Sequence, residues 1–259
     1  MNDANHPITV TILGSGTCVP SLRRSSCSVL MEIGTDKLLF DMGAGTIHRL
    51  LEYGVTIFDI THIFLSHFHP DHSAEIVSFL FASKYAENMR RQTPLTLVAG
   101  NGLTAFYEAL KSAYGSWIEP GDGILSVVEM STRAPDRLDC SSFSVITRPA
   151  AHNPESISYR IESPSGDSVV YSGDTDYCDH LINLAKDARL LICECSHADQ
   201  EKVRGHLSPS LAGEMASLAH VRNLVLTHFY PRCDGFDIEN ECRKTYKGPL
   251  VLAEDRMQL

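Results

Sequence analysis

Seven residues, Ser66-His67-Phe68-His69-Pro70-Asp71-His72, put three imidazoles and a carboxylate into a stretch too short to be anything but one turn. Imidazole and carboxylate at this density are the borderline-hard ligands that zinc, manganese or iron takes. On an extended chain side chains alternate, so His67 and His69 point the same way. Pro70 suits the first turn of a helix. A change of backbone direction there aims Asp71 and His72 at a second point nearby, so this turn could serve two metal ions.

Three more ligand-type residues share one placement, just past an apolar strand. Val169-Val170-Tyr171 runs into Ser172-Gly173-Asp174-Thr175, Leu224-Val225-Leu226-Thr227 runs into His228, and the strand ending near Arg148 runs into His152. Singly, Asp174 reads as a turn residue and His152 or His228 as a partly exposed histidine. Strand ends gather at one edge of a sheet, where α/β proteins collect site residues. Together with the histidine turn, the pattern points to metal ligation.

The elements that must position these residues follow from hydrophobic period. Ile8 to Leu13, Ser28 to Ile33 and Lys37 to Phe40 read as strands, the last running into Asp41. A helix over about Thr46 to Tyr53 precedes a buried strand over Ile60 to Leu65. A longer helix is predicted from Pro70 to about Met89, with Ile76, Val77, Leu80 and Phe81 on its buried face. Lys84, Arg90 and Arg91 lie towards its end, where cations complement the helix dipole. Strands over Leu95 to Ala99, Ile124 to Met130, Phe143 to Arg148, Ser156 to Glu162, Ser168 to Tyr171, Arg189 to Cys195, Asn223 to Thr227 and Leu250 to Ala253 alternate with helices. Those helices lie near Gly100 to Tyr114, Cys178 to Lys186 and Pro209 to His220. Two strand-rich halves with covering helices suggest two stacked sheets flanked by helices in one domain, 1–259. Gly14-Ser15-Gly16 after the first strand lacks the third glycine of a dinucleotide loop and the helix that should follow it.

Composition narrows the chemistry. The 259 residues are 43% hydrophobic, enough for a sizeable core, and carry a net charge of −10, which argues against a surface built to hold a polyanion. Eight cysteines are too sparse for a disulfide scaffold, and Cys193 and Cys195, flanking Glu194, read as small core residues. Met1 to Pro7 is polar and no apolar run reaches the length of a membrane span, so a reduced, cytoplasmic setting is expected.

The order H-x-H-x-D-H, then His152, then Gly173-Asp174-Thr175, then His228, resembles the metallo-β-lactamase superfamily of binuclear metallohydrolases, over essentially the whole chain. The resemblance implies an αββα sandwich with two divalent ions, zinc in the first instance and manganese or iron as alternatives. His67, His69 and His152 would hold one ion and Asp71, His72 and His228 the other, with Asp174 between them. Asp41 matches an early Asp that supports the histidine turn without binding metal. Leu13-Gly14-Ser15-Gly16-Thr17, with Pro20 and Arg24-Ser25-Ser26, resembles the opening of the ribonuclease Z-like branch, as does the tail Leu252 to Met257. Glu194 and His206 match that branch's two late motifs. The first departs from the usual His-Glu-Ala-Thr, reading Cys193-Glu194-Cys195-Ser196, and the second has Leu207-Ser208 where Ser-Thr is usual. Catalytic roles are implied for His206, Glu194 and Asp71. Ser208 is a good N-cap and Pro209 a good first helical residue, so His206 is expected just before an anion-favouring helix end.

A phosphodiesterase using a metal-bridging hydroxide is therefore expected, with His206 stabilising the developing charge or protonating the leaving oxygen. Ribonuclease Z enzymes that trim precursor tRNA carry a basic arm between the third-motif His and the bridging Asp. Only residues 153–173 separate His152 from Asp174 here, enough for two strands and the turn Pro164-Ser165-Gly166-Asp167. A small phosphodiester such as a cyclic nucleotide or cyclic phosphate is the leading substrate, ahead of tRNA, with no membrane partner and room for a homodimer. tRNA 3′-end processing is the alternative. A non-catalytic metal-binding scaffold or sensor is the competitor from another class. Glyoxalase-type thioesterases and flavodiiron proteins fit less well, because Asn153-Pro154-Glu155 follows His152 and no flavodoxin domain is present.

Overall fold

In a computed structural model describing residues 7–85 and 90–259, two seven-stranded sheets lie face to face with helices on both outer sides. The first sheet contains β1 (Thr9–Gly14), β2 (Ser28–Ile33), β3 (Asp36–Phe40), β4 (His62–Phe64), β5 (Leu95–Gly100) and β6 (Leu125–Met130). The second contains β7 (Asp136–Asp139), β8 (Ser144–Pro149), β9 (Ile157–Glu162), β10 (Ser168–Tyr171), β11 (Leu190–Glu194), β12 (Asn223–Thr227) and β13 (Leu250–Leu252). The short β14 (Met257–Gln258) closes the outer edge of the first sheet against β1. The strand orders are β14-β1-β2-β3-β4-β5-β6 and β13-β12-β11-β10-β9-β8-β7.

Each sheet begins as antiparallel hairpins and continues as parallel crossovers. β1, β2 and β3 pair antiparallel, then β3 to β6 parallel. In the second sheet β7 to β10 pair antiparallel and β10 to β13 parallel. Parallel neighbours require covering helices. These are α1 (Thr46–Glu52), α2 (Pro70–Ser73), α3 (Ile76–Tyr85) and α4 (Leu103–Tyr114) on the first side. On the second they are α5 (Asp179–Ala185), α6 (Pro209–Leu218) and α7 (Ile238–Arg243).

The layering is written in strand alternation. On β3, Leu38 and Phe40 face the other sheet while Leu39 faces the helices; on β10, Val169 and Tyr171 face inward and Val170 outward. Strands buried on both faces are apolar throughout. Phe40 stacks on Phe64 at 4.8 Å between centroids, and Tyr159 meets both edge-on. The fold is thus the expected four-layer αββα sandwich.

The helix predicted from Pro70 to about Met89 is broken. Glu75 sends its amide to the Met42 carbonyl (3.0 Å), and its carboxylate accepts from the Gly45 and Ile47 amides, both at 2.7 Å. It thereby satisfies amides at the start of α1, which has no side-chain cap of its own. The expected end of the long helix, residues 86–89, lies outside the described residues. The buried face of α3 is Ile76, Phe79 and Leu80, while Phe81 is exposed. Arg91 does not serve a helix dipole. It is buried and donates to the Ile60 (2.9 Å) and Ile57 carbonyls, clamping the loop before β4. Desolvation lowers its pKa to about 10.

Sequence reading missed β7, β14 and α7. β7, Asp-Arg-Leu-Asp, is an edge strand whose charges hide its alternation and also guard the edge. Cys193 and Cys195 are buried, and all eight cysteines are free thiols. Among the described residues no helix is long and apolar enough to cross a membrane.

Tyr159 joins core to site, because its hydroxyl donates to the buried Leu65 carbonyl (2.7 Å) just before the histidine turn. Tyr159→Phe keeps the packing and orphans that acceptor. It should cost about 1–3 kcal/mol in urea unfolding, with the cooperativity of the transition unchanged.

Candidate metal centre

The ends of the parallel strands supply the centre. β3 is followed by Asp41, β4 by the turn His67 to His72, β10 by Asp174, β11 ends in Glu194, and β12 is followed by His228. Asp41 and His228 both adopt left-handed backbone (φ 55° and 61°), an uncommon conformation that concentrates at functional sites. It lets each side chain turn back over its own strand end. Gly43 permits the closest approach, since a Cβ there would lie 2.0 Å from the Asp71 carbonyl oxygen.

Asp174 stands at the middle, 3% exposed. Its Oδ2 faces His67 Nε2 at 3.7 Å and His152 Nε2 at 3.9 Å, while its Oδ1 lies 3.3 Å from both His72 Nε2 and His228 Nε2. His69 joins the first pair, with Nδ1 3.4 Å from His152 Nε2. Asp71 joins the second, with Oδ2 3.7 Å from His72 Nε2 and 3.6 Å from His228 Nε2. The seven residues singled out from the sequence thus converge. They form one group of His67, His69, His152 and Asp174 and another of Asp71, His72 and His228, the candidate ligand atoms in each lying within 4.8 Å of one another.

What prepares the imidazoles is the outward nitrogen. His72 Nδ1 donates to Asp41 Oδ2 at 2.7 Å, and His152 Nδ1 donates to the Gly205 carbonyl at 2.8 Å. Ser66 Oγ donates to Asp41 Oδ2 (2.8 Å) and so accepts from His67 Nδ1 (3.0 Å). Asp41 is further held by the Ser66 amide on Oδ1 and the Tyr171 hydroxyl on Oδ2. A neutral imidazole has one N–H, so placing it outward leaves a lone pair on each inward Nε2. His69 is reversed, with Nδ1 inward, and its Nε2 accepts from the Asn153 side-chain NH2 at 2.9 Å, so its outward nitrogen does not hold the proton as the others do.

The donor set fits a divalent cation. His67 Nε2 and Asp174 Oδ1 are buried with no hydrogen-bond partner, and His72 Nε2 and His228 Nε2 face each other at 3.2 Å. Burial, reinforced by His72, holds His67 well below the usual histidine range and therefore neutral, the ligand form. Desolvation opposes charge on His72 too, yet Asp174 and Asp41 hold its imidazolium well above the usual range. Burial alone would raise the Asp174 pKa, but His228 and His72 draw it well below the ordinary carboxylate value. Before a cation binds, Asp174 is thus paired with a protonated His72, whose Nε2 proton a cation would displace, while His67 already offers a lone pair.

Glu194 and His206 lie beside this group. Glu194, 1% exposed, accepts from His206 Nδ1 at 3.0 Å and from the Thr175 amide at 2.7 Å on Oε1. Burial lowers the His206 pKa, but the Glu194 hydrogen bond outweighs it and the net shift is upward. The His206 and His228 rings stack at 5.7 Å, and His206 Nδ1 is 3.9 Å from Asp174 Oδ2. The expected anion-favouring helix end is not available. Ser208 makes no side-chain cap on α6; Asp199 does so from a neighbouring loop, accepting from the Ser210 amide (3.0 Å) and hydroxyl (2.7 Å). A carboxylate already sits where an anion would bind.

Sequence reasoning missed Ser66, Tyr171, Asn153, Gly205 and Ser196. Ser66 and Asn153 adjoin ligand-type histidines and could have been suspected. Tyr171 and the Gly205 carbonyl come from distant segments and carry no local signal.

The family model of the beta-lactamase superfamily domain matches residues 38–229. An uncharacterized protein of Mycobacterium tuberculosis is 32% identical over 94% of this chain and 88% of its own length. A ribonuclease Z of Methanosarcina mazei is 28% identical over 97% of both chains. Among solved structures, the metallo-beta-lactamase fold protein YhfI of Bacillus subtilis superposes with a TM-score of 0.82 at 24% identity. That alignment covers 98% of this chain and 99% of the other.

Asp41→Asn tests the hydrogen-bond support directly, since Asn tolerates left-handed backbone but cannot accept four donors. Affinity for a divalent metal should fall about 10–100-fold in chelator competition, and the metal-stripped protein should lose about 1–3 kcal/mol of stability while still unfolding cooperatively.

Proposed function

The chain belongs to the beta-lactamase superfamily, and from that premise we propose that it is a binuclear metal-dependent phosphodiesterase acting on a small phosphodiester, such as a cyclic nucleotide or cyclic phosphate. His67, His69 and His152 would hold one ion, Asp71, His72 and His228 the other, and Asp174 would bridge them. Zinc suits this donor set first, with manganese or iron(II) as alternatives. When bound, two such ions supply Lewis-acid polarisation of the phosphoryl group and a water made nucleophilic at neutral pH.

The observation carrying the reading is the Glu194–His206 pair beside Asp174 and His228. A protein that only stored or sensed metal would have no use for it. Glu194 holds the proton on His206 Nδ1. The upward shift of this imidazole favours a second proton on Nε2, available to the leaving oxygen as the P–O bond breaks. Asp71, the centre's more accessible carboxylate with a side chain 10% exposed, accepts the proton that the attacking water gives up. In a cyclic diester the phosphate monoester and the new hydroxyl end on the same molecule; in a linear one they end on separate products.

Small substrates are favoured by the segment between His152 and Asp174. It holds β9, β10 and a tight turn, closed by Ser163 accepting from the Gly166 amide (3.0 Å) and donating to the Asp167 carbonyl (2.9 Å), with no projecting arm. The net charge of −10 adds no general attraction for RNA. tRNA 3′-end processing is the second reading, favoured by the full-length similarity to an archaeal ribonuclease Z.

Hydrolysis of bis(p-nitrophenyl) phosphate and of cyclic nucleotides with zinc or manganese tests the activity. His206→Ala should lower kcat about 10²–10⁴-fold and leave KM nearly unchanged. Turnover by neither metal would defeat the enzyme reading, and efficient trimming of a precursor tRNA at low salt would replace the small substrate with the larger one.

A further inference from the structure

Ser196 occupies the position where Cys193-Glu194-Cys195-Ser196 departs from the usual motif, and its hydroxyl meets three groups. Oγ lies 2.7 Å from Glu194 Oε2, 2.9 Å from His228 Nδ1 and 3.1 Å from His206 Nδ1. A carboxylate only accepts and a hydroxyl has one proton, so that proton goes to Glu194. Oγ therefore faces the imidazoles with its lone pairs, and His228 Nδ1–H donates to it. With the proton outside, His228 Nε2 is left as a lone pair towards Asp71 and Asp174.

Among the described residues, Ser196 Oγ is the hydrogen-bond partner of His228 Nδ1, and it opposes the Asp71 and Asp174 carboxylates, which would draw the proton to Nε2. Ser196 itself is pinned. It is buried, and its carbonyl accepts from the Tyr230 amide (3.3 Å) and the Cys233 thiol (3.1 Å).

We propose that Ser196 is a positioning residue that turns the Glu194 carboxylate into the orienting partner of His228, so that one buried acid serves His206 and the proposed second metal position at once. The first half of the chain contains the counterpart, in which Asp41 orients His67 through Ser66. In each half, a strand-end carboxylate takes the proton of a serine and the serine takes the proton of an imidazole. This inference rests on the binuclear reading above and adds that the two ion positions depend on different serines.

The test is zinc titration of the full-length, metal-stripped protein against a chromophoric chelator that resolves two affinities. Ser196→Ala should weaken one zinc site about 10–100-fold and leave the other unchanged, Ser196→Thr should restore both, and Ser66→Ala should weaken the site that Ser196→Ala spares. A variant that merely failed to fold would lose both sites, and Ser196→Thr separates loss of the hydroxyl from loss of packing. Two unchanged sites in Ser196→Ala, loss of both in an alanine variant that still unfolds cooperatively, or a threonine variant no better than alanine would overturn the role of Ser196 while leaving the binuclear reading intact. A wild-type protein that binds a single zinc ion would overturn both.

Discussion

An imidazole offers a metal a lone pair only if its one proton is on the other nitrogen, and a buried N–H without an acceptor is costly. The centre is organised around that constraint. Asp41, the Gly205 carbonyl, Ser66 and Ser196 stand behind His72, His152, His67 and His228 as acceptors, and each keeps one proton on the outward nitrogen, so that the inward one is the nitrogen free to meet a cation. Five imidazoles and two carboxylates so close together would otherwise adopt a mixture of protonation states. The outer acceptors limit that mixture before any cation arrives, which is the preorganisation that metal affinity depends on.

The two-sheet architecture makes this arrangement affordable to build. Both sheets pass from antiparallel hairpins to parallel crossovers, so both deliver their parallel strand ends to one edge. Asp41 and Asp174 follow β3 and β10, the last hairpin strand of each sheet; the histidine turn and Glu194 come with the next strand of each, β4 and β11. The close approach of Gly173 to Ser66, where a Cβ would come within 2.4 Å of the serine Cβ, marks where the halves meet. Neither half carries a whole centre, so the site exists only when the sheets are stacked.

Charge is handled locally. The chain is acidic overall, yet the centre contains carboxylates whose negative charge is held by neighbouring histidines, and the dyad of Glu194 and His206 is a paired unit rather than a free cation. Asp199 fills the start of α6 with a carboxylate of its own, so the amides of that helix end are not free to meet an anion.

The ligand-type residues were legible in the sequence because all seven sit in or beside turns that end apolar strands, where local pattern and residue type speak together. The same pattern gave the layered fold, since alternation along β3 and β10 names both the inner and the outer face. Other features had no local expression. The break after α2 depends on Glu75 capping a different helix, the burial of Arg91 on carbonyls before β4, and the capping of α6 on Asp199 across a loop. The sequence by itself determined which residues could bind a metal and which strands would carry them. Only the tertiary structure decided which nitrogen of each imidazole faces inward, because that choice belongs to acceptors brought from other strands: Asp41 to His72, Gly205 to His152, and Ser196 to His228.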